Sequence, residues 1–361
     1  MKILVMNWRD IKNPAHGGAE IVTHEHMKRW VKAGHECYLI ASAFPSCKKI
    51  EEIEGYTIYR GGNRFTVYWN AYKIYKKYFK GKVDFVIDEI NTIPFFTPFY
   101  VKEKKMTLIH QLCREIWFYE TIFPFSLIGY LAEPLYLRLY KKYSSMVVSE
   151  STKNDLIIYG FKNISIIPEG INFKPLEKVP KKEKNTLIYV GRLKKSKRVH
   201  HIIEALKSVK EKIPSVKLWI VGNGDLPYKK YLEKLIKKNN LENNVKFLGY
   251  LGFIERNKLM GKAEAIIVTS VKEGWGLIVP EANAFGTPAI VYDVDGLMDA
   301  VRHNETGLIA KKNNPESLAE VIVDFLKNPK LKSKLSKNAL EYSREFSWDK
   351  SAEESLMVIE R

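Results

Sequence analysis

Three stretches near the amino terminus decide the fold: KILVM at residues 2–6, GGAEIVTHEHMKRWVKAGHE at 17–36 and CYLIAS at 37–42. The first and third are apolar runs of strand length. Between them Ile21, Met27, Trp30 and Val31 fall roughly on one helical face. A strand, helix, strand succession of this kind predicts a parallel, doubly wound α/β sheet.

Working outward, VDFVID, MTLIH and SMVVSE supply further strands, and STKNDLIIYG a helix capped by Ser151 or Thr152 and closed at Gly160. KPLEKVPKKEKN then reads as a linker, with two prolines, many charges and little apolar content. Beyond it the alternation restarts with TLIYVG, VKLWIVG, VKFLG, AEAIIVTS and PAIVYD separated by helical patterns. Two α/β domains follow, which suits 361 residues. The expected division is 1–174, 175–340 and a helical tail, SWDKSAEESLMVIER, within 341–361.

Hydrophobic residues make up 45% of the chain and charged ones 28%, which excludes a disordered protein. The apolar run at the start is too short for a signal peptide, and no stretch approaches a spanning helix. A cytoplasmic protein is therefore expected, resting if anywhere on the inner membrane face. Cys37, Cys47 and Cys113 lack metal or redox spacing and are expected to be buried thiols. The net charge of +18 predicts attraction to a polyanion, for which nucleic acid, anionic lipid and nucleotide phosphates all qualify. A lysine-rich surface is also common in thermophilic organisms.

Several motifs carry competing readings. VGNGD puts Gly222 and Gly224 after a strand, but Pro227 and Tyr228 follow where a dinucleotide site needs its third glycine, so a turn is preferred. DVD at 293–295 is similar to a metal-binding pair, but it runs into Gly296 and a loop is preferred. His24 with His26, and His200 with His201, have the wrong spacing for helix-borne metal ligands. Gly17 and Gly18 in HGGAE precede a helix and serve either an approaching anion or a tight turn. In GRLKKSKR, Arg192 and Lys197 follow a strand and either neutralise a diphosphate or form a solvated charge run. In EGWGLIVPE, the amides of Gly274, Trp275, Gly276 and Leu277 open a helix expected to close at Gly286. Glu273 stands before that helix and Glu281 about one turn inside it, as two separate readers of hydroxyl groups rather than an acid/base dyad.

The run TSVKEGWGLIVPEANAFGTPAIVYDVDGLMDAVRHNETGLIA resembles the signature of the retaining glycosyltransferases of family 4, with Glu273 and Glu281 as its E-x7-E element. GRLKKSKR is similar to the family's G-R-L-x-x-x-K, with Arg198 where a glycine is usual. HGGAE, LIHQL, VVSEST, PEGIN, VGNGD, VKFLGYL and FSWDKSA extend the likeness over essentially the whole chain. The resemblance implies a GT-B fold of two facing Rossmann-like domains, the donor on the C-terminal one, the acceptor on the N-terminal one, and a last helix crossing back. It implies that Glu273 and the amides after it hold the donor sugar, that Glu281 takes the ribose, and that Arg192 and Lys197 take the diphosphate. His110 then lies near the transferred sugar, Gly17 or Gly18 face the phosphates, and Tyr250 and Leu251 lie against the base. No carboxylate is an evident nucleophile, so same-face substitution is expected, with no cofactor and no divalent metal.

The acceptor is expected to be a glycan, glycolipid or lipid-linked precursor. RFTVYWNAYKIYKKYFKGK at 64–82 interleaves aromatics with lysines, as a helix on an anionic membrane does. The aromatic stretch from Trp117 to Ser144 suits either an acceptor groove or, by preference, a core helix. The rival functions are a nucleotide-sugar epimerase of similar architecture and a basic nucleic-acid-binding protein. The second has no recognisable binding motif or basic stripe, so no nucleic acid is expected as a partner.

Overall fold

The computed structural model describes residues 1–361, which form two compact units. Unit 1 holds Met1–Trp117, Ile122–Gly170 and Ser347–Arg361; unit 2 holds Phe118–Thr121 and Ile171–Phe346.

Unit 1 runs β1 (Lys2–Met6), α1 (Gly18–Lys32), β2 (Glu36–Ala41), β3 (Ile50–Ile53), β4 (Tyr56–Arg60), α2 (Val67–Ile74), β5 (Phe85–Glu89), β6 (Lys104–Ile109), the start of α3 (Ile116–Glu120), whose residues from Phe118 group with unit 2, then α4 (Phe125–Leu137), β7 (Ser144–Val147), α5 (Glu150–Ile158) and β8 (Ile164–Ile166). Its eight strands lie in the order β3-β4-β2-β1-β5-β6-β7-β8, parallel except for the β3–β4 pair. Side chains alternate between the faces of these strands. Ile3 and Val5 point to the core beneath α1, whereas Leu4 and Met6 point to the core beneath α2. The ion pair of Arg60 with Asp10, at 2.7 Å from Nε to Oδ2, is fully buried and fixes the loop between β1 and α1.

Unit 2 runs β9 (Thr186–Val190), α6 (Val199–Lys212), β10 (Lys217–Val221), α7 (Leu226–Lys238), β11 (Val245–Gly249), α8 (Phe253–Lys262), β12 (Ala265–Val268), α9 (Ile278–Asn283), β13 (Ala289–Val291), α10 (Leu297–Ala300), β14 (Gly307–Ile309), α11 (Pro315–Lys327) and α12 (Pro329–Tyr342). All six strands are parallel, in the order β11-β10-β9-β12-β13-β14. The final helix, α13 (Trp348–Glu360), packs on α1 within unit 1. There Ser351 Oγ lies 2.7 Å from His26 Nε2, and Trp30 Nε1 donates to Ser355 Oγ at 3.0 Å. Burial pushes His26 down to about 3, so it is a neutral packing residue.

The structure changes four expectations. The chain passes into unit 2 at Ile171 and leaves it after Phe346, and residues 118–121 also group with unit 2. KPLEKVPKKEKN is not a free linker: the Leu176 amide donates to Ala284 O at 3.0 Å and the Glu183 amide to Lys262 O at 2.7 Å. Lys182 is drawn in with it, donating to Phe285 O and Thr287 Oγ1, and burial lowers it to about 7. Ser149, rather than Ser151 or Thr152, caps α5, because its hydroxyl reaches the Thr152 amide. Cys47 is only half-buried, while Cys37 and Cys113 are buried.

Candidate active site

On unit 2, loops at the carboxyl ends of five parallel strands carry or back the expected donor-site residues. The loop after β9 carries Arg192 and Lys197, and its position is set by backbone proximity. A Cβ on Gly222 would fall 2.0 Å from Gly191 O, and one on Gly224 would fall 2.1 Å from Leu193 O. These glycines therefore let the loops after β9 and β10 lie back to back, joined by the Leu193–Gly224 bridge. The turn preferred for VGNGD is thereby given a packing role. The Tyr189 hydroxyl, buried at the strand end, donates to Arg192 O at 2.9 Å. Arg192 itself is exposed and has no ion-pair partner.

Lys197 Nζ lies 2.5 Å from Glu273 Oε1, which also accepts from Ser270 Oγ at 2.6 Å. Thr269 Oγ1 reaches the carbonyls of Lys197 and Arg198, at 3.0 and 3.1 Å, and so ties the loop after β12 to the loop after β9. The Glu273 amide donates to Asp295 O at 3.2 Å, and Gly296, at φ 78°, presses against the Glu273 carbonyl, where a Cβ would come within 2.2 Å. Lys272 pairs with Asp295 at 2.7 Å. DVD is thus the turn that backs Glu273.

After Glu273, the amides of Gly274, Trp275, Gly276 and Leu277 donate to no backbone carbonyl. The regular part of α9 is short, and Leu277 is its cap residue. Gly286 turns at φ 61° three residues beyond α9. The Trp275 indole is buried, its ring centroid 4.8 Å from that of Phe346, so only its backbone is offered at the surface. Glu281 stands apart from Glu273 and pairs with Arg256 NH2 at 3.1 Å. Burial pushes the Glu281 carboxyl up, against the pull of that guanidinium. Tyr250 is fully on the surface, with Leu251 half-buried beside it.

On unit 1, Gly17 is the cap residue of α1, and its amide donates to Glu20 Oε2 at 2.6 Å. Glu20 also accepts from Trp8 Nε1 and Arg9 Nε, so the Gly17–Gly18 turn is held from beneath by a buried carboxylate. His110, at the end of β6, is buried between Glu89 Oε1, 3.0 Å from Nε2, and Glu169 Oε1, 3.8 Å from Nδ1. Burial alone would lower its pKa, but the two carboxylates outweigh it and raise it to about 9. Both carboxylates thus favour the charged form of His110.

Sequence reasoning missed Ser270, Arg256, Glu20 and Glu89. Glu20 ends HGGAE and Ser270 stands in the run just before EGWG, so both lay in quoted stretches without a role, whereas Arg256 and Glu89 become site residues only through Glu281 and His110, partners distant in sequence. Glu169 lies in PEGIN and Gly296 follows DVD, so both stood inside quoted motifs without a role.

Two family models cover nearly the whole chain: Glycosyltransferase Family 4 over residues 16–174 and Glycosyl transferases group 1 over residues 172–342. The chain belongs to the family 4 glycosyltransferases. An uncharacterized glycosyltransferase of Methanocaldococcus jannaschii is 32% identical over 58% of this chain and 54% of its own. The chain thus spans about half the length of the curated relatives it matches. Among solved structures, sucrose-phosphate synthase from Thermosynechococcus elongatus superimposes with a TM-score of 0.79 at 21% identity, over 99% of this chain and 98% of its own. Anabaena HepE, solved with UDP-glucose, does so with a TM-score of 0.74 at 18% identity, over 99% of both chains. The glycosyltransferase fold is GT-B.

Proposed function

We propose that this chain moves a hexose-type sugar from a nucleotide-diphosphate-sugar to a hydroxyl acceptor, with retention of configuration. The observation that carries the reading is the Lys197–Glu273–Ser270 cluster on unit 2, followed directly by four backbone amides with no backbone partner. Glu273 and those amides take the donor sugar, Glu281 takes the ribose hydroxyls, and Tyr250 and Leu251 take the base. HepE, solved with UDP-glucose, supports a nucleotide sugar as the donor.

In the proposed reaction the bond from the anomeric carbon to the diphosphate oxygen breaks first, through an oxocarbenium-like state. The acceptor oxygen attacks the same face, and its proton passes to the departing phosphate oxygen. Arg192, unpaired and exposed, and Lys197, with N–H donors left beside its bond to Glu273, stabilise the charge gathering on the leaving group. This supply of positive charge is why no divalent metal or cofactor is proposed. On unit 1, the Gly17–Gly18 turn is proposed to take an anion at the start of α1, and His110, its ring nitrogens facing Glu89 and Glu169, to supply positive charge. The acceptor proposed is a glycan, glycolipid or lipid-linked precursor. A companion proposal is contact with an anionic membrane, supported by Trp69, exposed beside Lys73 with its ring 5.4 Å from Nζ.

A thermal-shift screen of UDP-, GDP- and ADP-sugars tests the donor, since a ligand bound only by the folded state raises its stability. Product analysis after adding sugar acceptors then tests the reaction. An α-linked product from an α-linked donor, unaffected by a chelator, is expected. An epimerised nucleotide sugar without glycoside would overturn the reading. Glu281→Ala is expected to weaken nucleotide-sugar binding roughly 10- to 100-fold, the scale of a lost charged hydrogen bond. Glu273→Ala is expected to act chiefly on kcat, and unchanged activity in both variants would defeat the assignment.

A further inference from the structure

We propose that a cavity at the amino-terminal edge of the unit 2 sheet binds the phosphate group of a small metabolite, apart from the residues assigned to sugar transfer. The cavity measures about 360 Å³, a volume that suits a small ligand. One wall is α12, which supplies Lys332, Ser336 and Lys337, and the other is the segment before β9, which supplies Val179 and Lys182. Glu264 lies between them, immediately before β12, and its carboxylate accepts the Asn185 amide, just before β9, at 2.9 Å. The site therefore stands where β9 and β12 begin. The donor-site residues stand where those strands end.

Three cations meet one carboxylate there, and that carboxylate is already engaged. Lys332 Nζ pairs with Glu264 Oε1 at 2.7 Å, the Asn185 amide holds the other oxygen, and Lys337 stands exposed on the α12 wall. Lys182 carries the argument furthest. Its Nζ lies 2.9 Å from Phe285 O and 2.6 Å from Thr287 Oγ1. The Thr287 hydroxyl gives its own proton to Met260 O at 2.6 Å, so it accepts from the lysine. A neutral amine spends both of its N–H groups on these two acceptors. The third N–H of the ammonium form has no acceptor in the protein, and burial holds Lys182 down at about 7. An anion in the cavity supplies the missing acceptor. Ser336 is a second orphan: only 7% exposed, it lines the cavity with a hydroxyl that bonds to no protein atom. Compact ammonium groups from two elements, rather than one planar guanidinium fork, suit the several oxygens of a tetrahedral phosphate. The inference stands without the sugar-transfer reading, because no residue assigned to that reaction lines this cavity.

The test is acetylation of the full chain near neutral pH with limiting acetic anhydride, alone, with inorganic phosphate and with glycerol 3-phosphate, at constant ionic strength, each lysine being read by mass spectrometry. Lys182 is expected to react readily, and either compound at ten times its Kd is expected to slow that reaction about tenfold by mass action. Protection by glycerol 3-phosphate at lower concentration than inorganic phosphate would identify the occupant as a phosphomonoester, and protection at equal concentration would identify it as free phosphate. Ser336→Ala and Lys337→Glu are each expected to weaken the protection roughly tenfold, with an unchanged thermal melt in the absence of phosphate. Acetylation of Lys182 that neither compound slows would overturn the proposal. So would protection of Lys182 that both variants leave unchanged, or protection confined to Lys197, which would place the anion at the donor edge.

Discussion

Arg198 sits at φ 49° and ψ 38°, a left-handed conformation that costs an L side chain about 1–2 kcal/mol. This explains in local terms why a glycine is usual at that place in the motif. The guanidinium lies 3.2 Å from the Tyr119 hydroxyl, which partly offsets the strain. Arg198→Gly is expected to exceed Arg198→Ala in stability by about 1 kcal/mol in urea unfolding, since both lose the tyrosine contact and only glycine is relaxed. At Glu281, burial pushes the carboxyl up and the neighbouring Arg256 pulls it back down. Arg256→Ala is expected to move the pH at which sugar-nucleotide affinity falls upward, because protonation removes an acceptor for the ribose hydroxyls. A binding profile that is the same in both proteins over the acidic range would refute this. Glu273, Lys197 and Glu281 were legible in the sequence because their motif spacing is specific. Arg256 and Glu89 were not, because their meaning comes from a contact across the fold, and Ser270 was not because nothing in the run shows its hydroxyl turning onto Glu273, three residues on.

The loops after β9 and β10 form one unit because two glycines allow them to touch. A methyl at Gly222 or Gly224 would collide with a backbone carbonyl, which cannot swing aside as a side chain can. Gly222→Ala and Gly224→Ala are each expected to destabilise unit 2 by about 3 kcal/mol or more and to abolish nucleotide-sugar binding. Gly252→Ala, placed where nothing lies within 4 Å, is the control and is expected to fold and bind normally. The long buried strands and amphipathic helices were readable from periodicity. β8 and β14 were not, since ISI and GLI are too short to show alternation. The β3–β4 hairpin escaped for a related reason: IEEI has two central acids and no buried residue. The aromatic run of α4 was read as core because composition cannot tell the inward face of a helix from the outward one.

At the scale of the molecule, stability should depend on pH through His110. Its folded pKa of about 9 lies above the ordinary 6.5, so the stabilisation is complete below about 6.5 and is lost as pH rises through 9. Urea unfolding of the wild type is expected to weaken over that window, whereas His110→Gln should give a flatter profile. Equal slopes would show that the Glu89 and Glu169 contacts do not hold the proton. A further consequence lies in the order of the chain. Unit 1 is discontinuous: α13, which covers Met27 and Trp30, follows the whole of unit 2 in sequence. A ribosome therefore releases residues 171–346 before the helix that completes the earlier domain. The second domain can mature first during synthesis, while the first waits with Met27 and Trp30 of α1 uncovered, reversing the usual amino-terminal-first order. A chain ending at Phe346 should accordingly resist protease across residues 171–346 and be cut within residues 1–170.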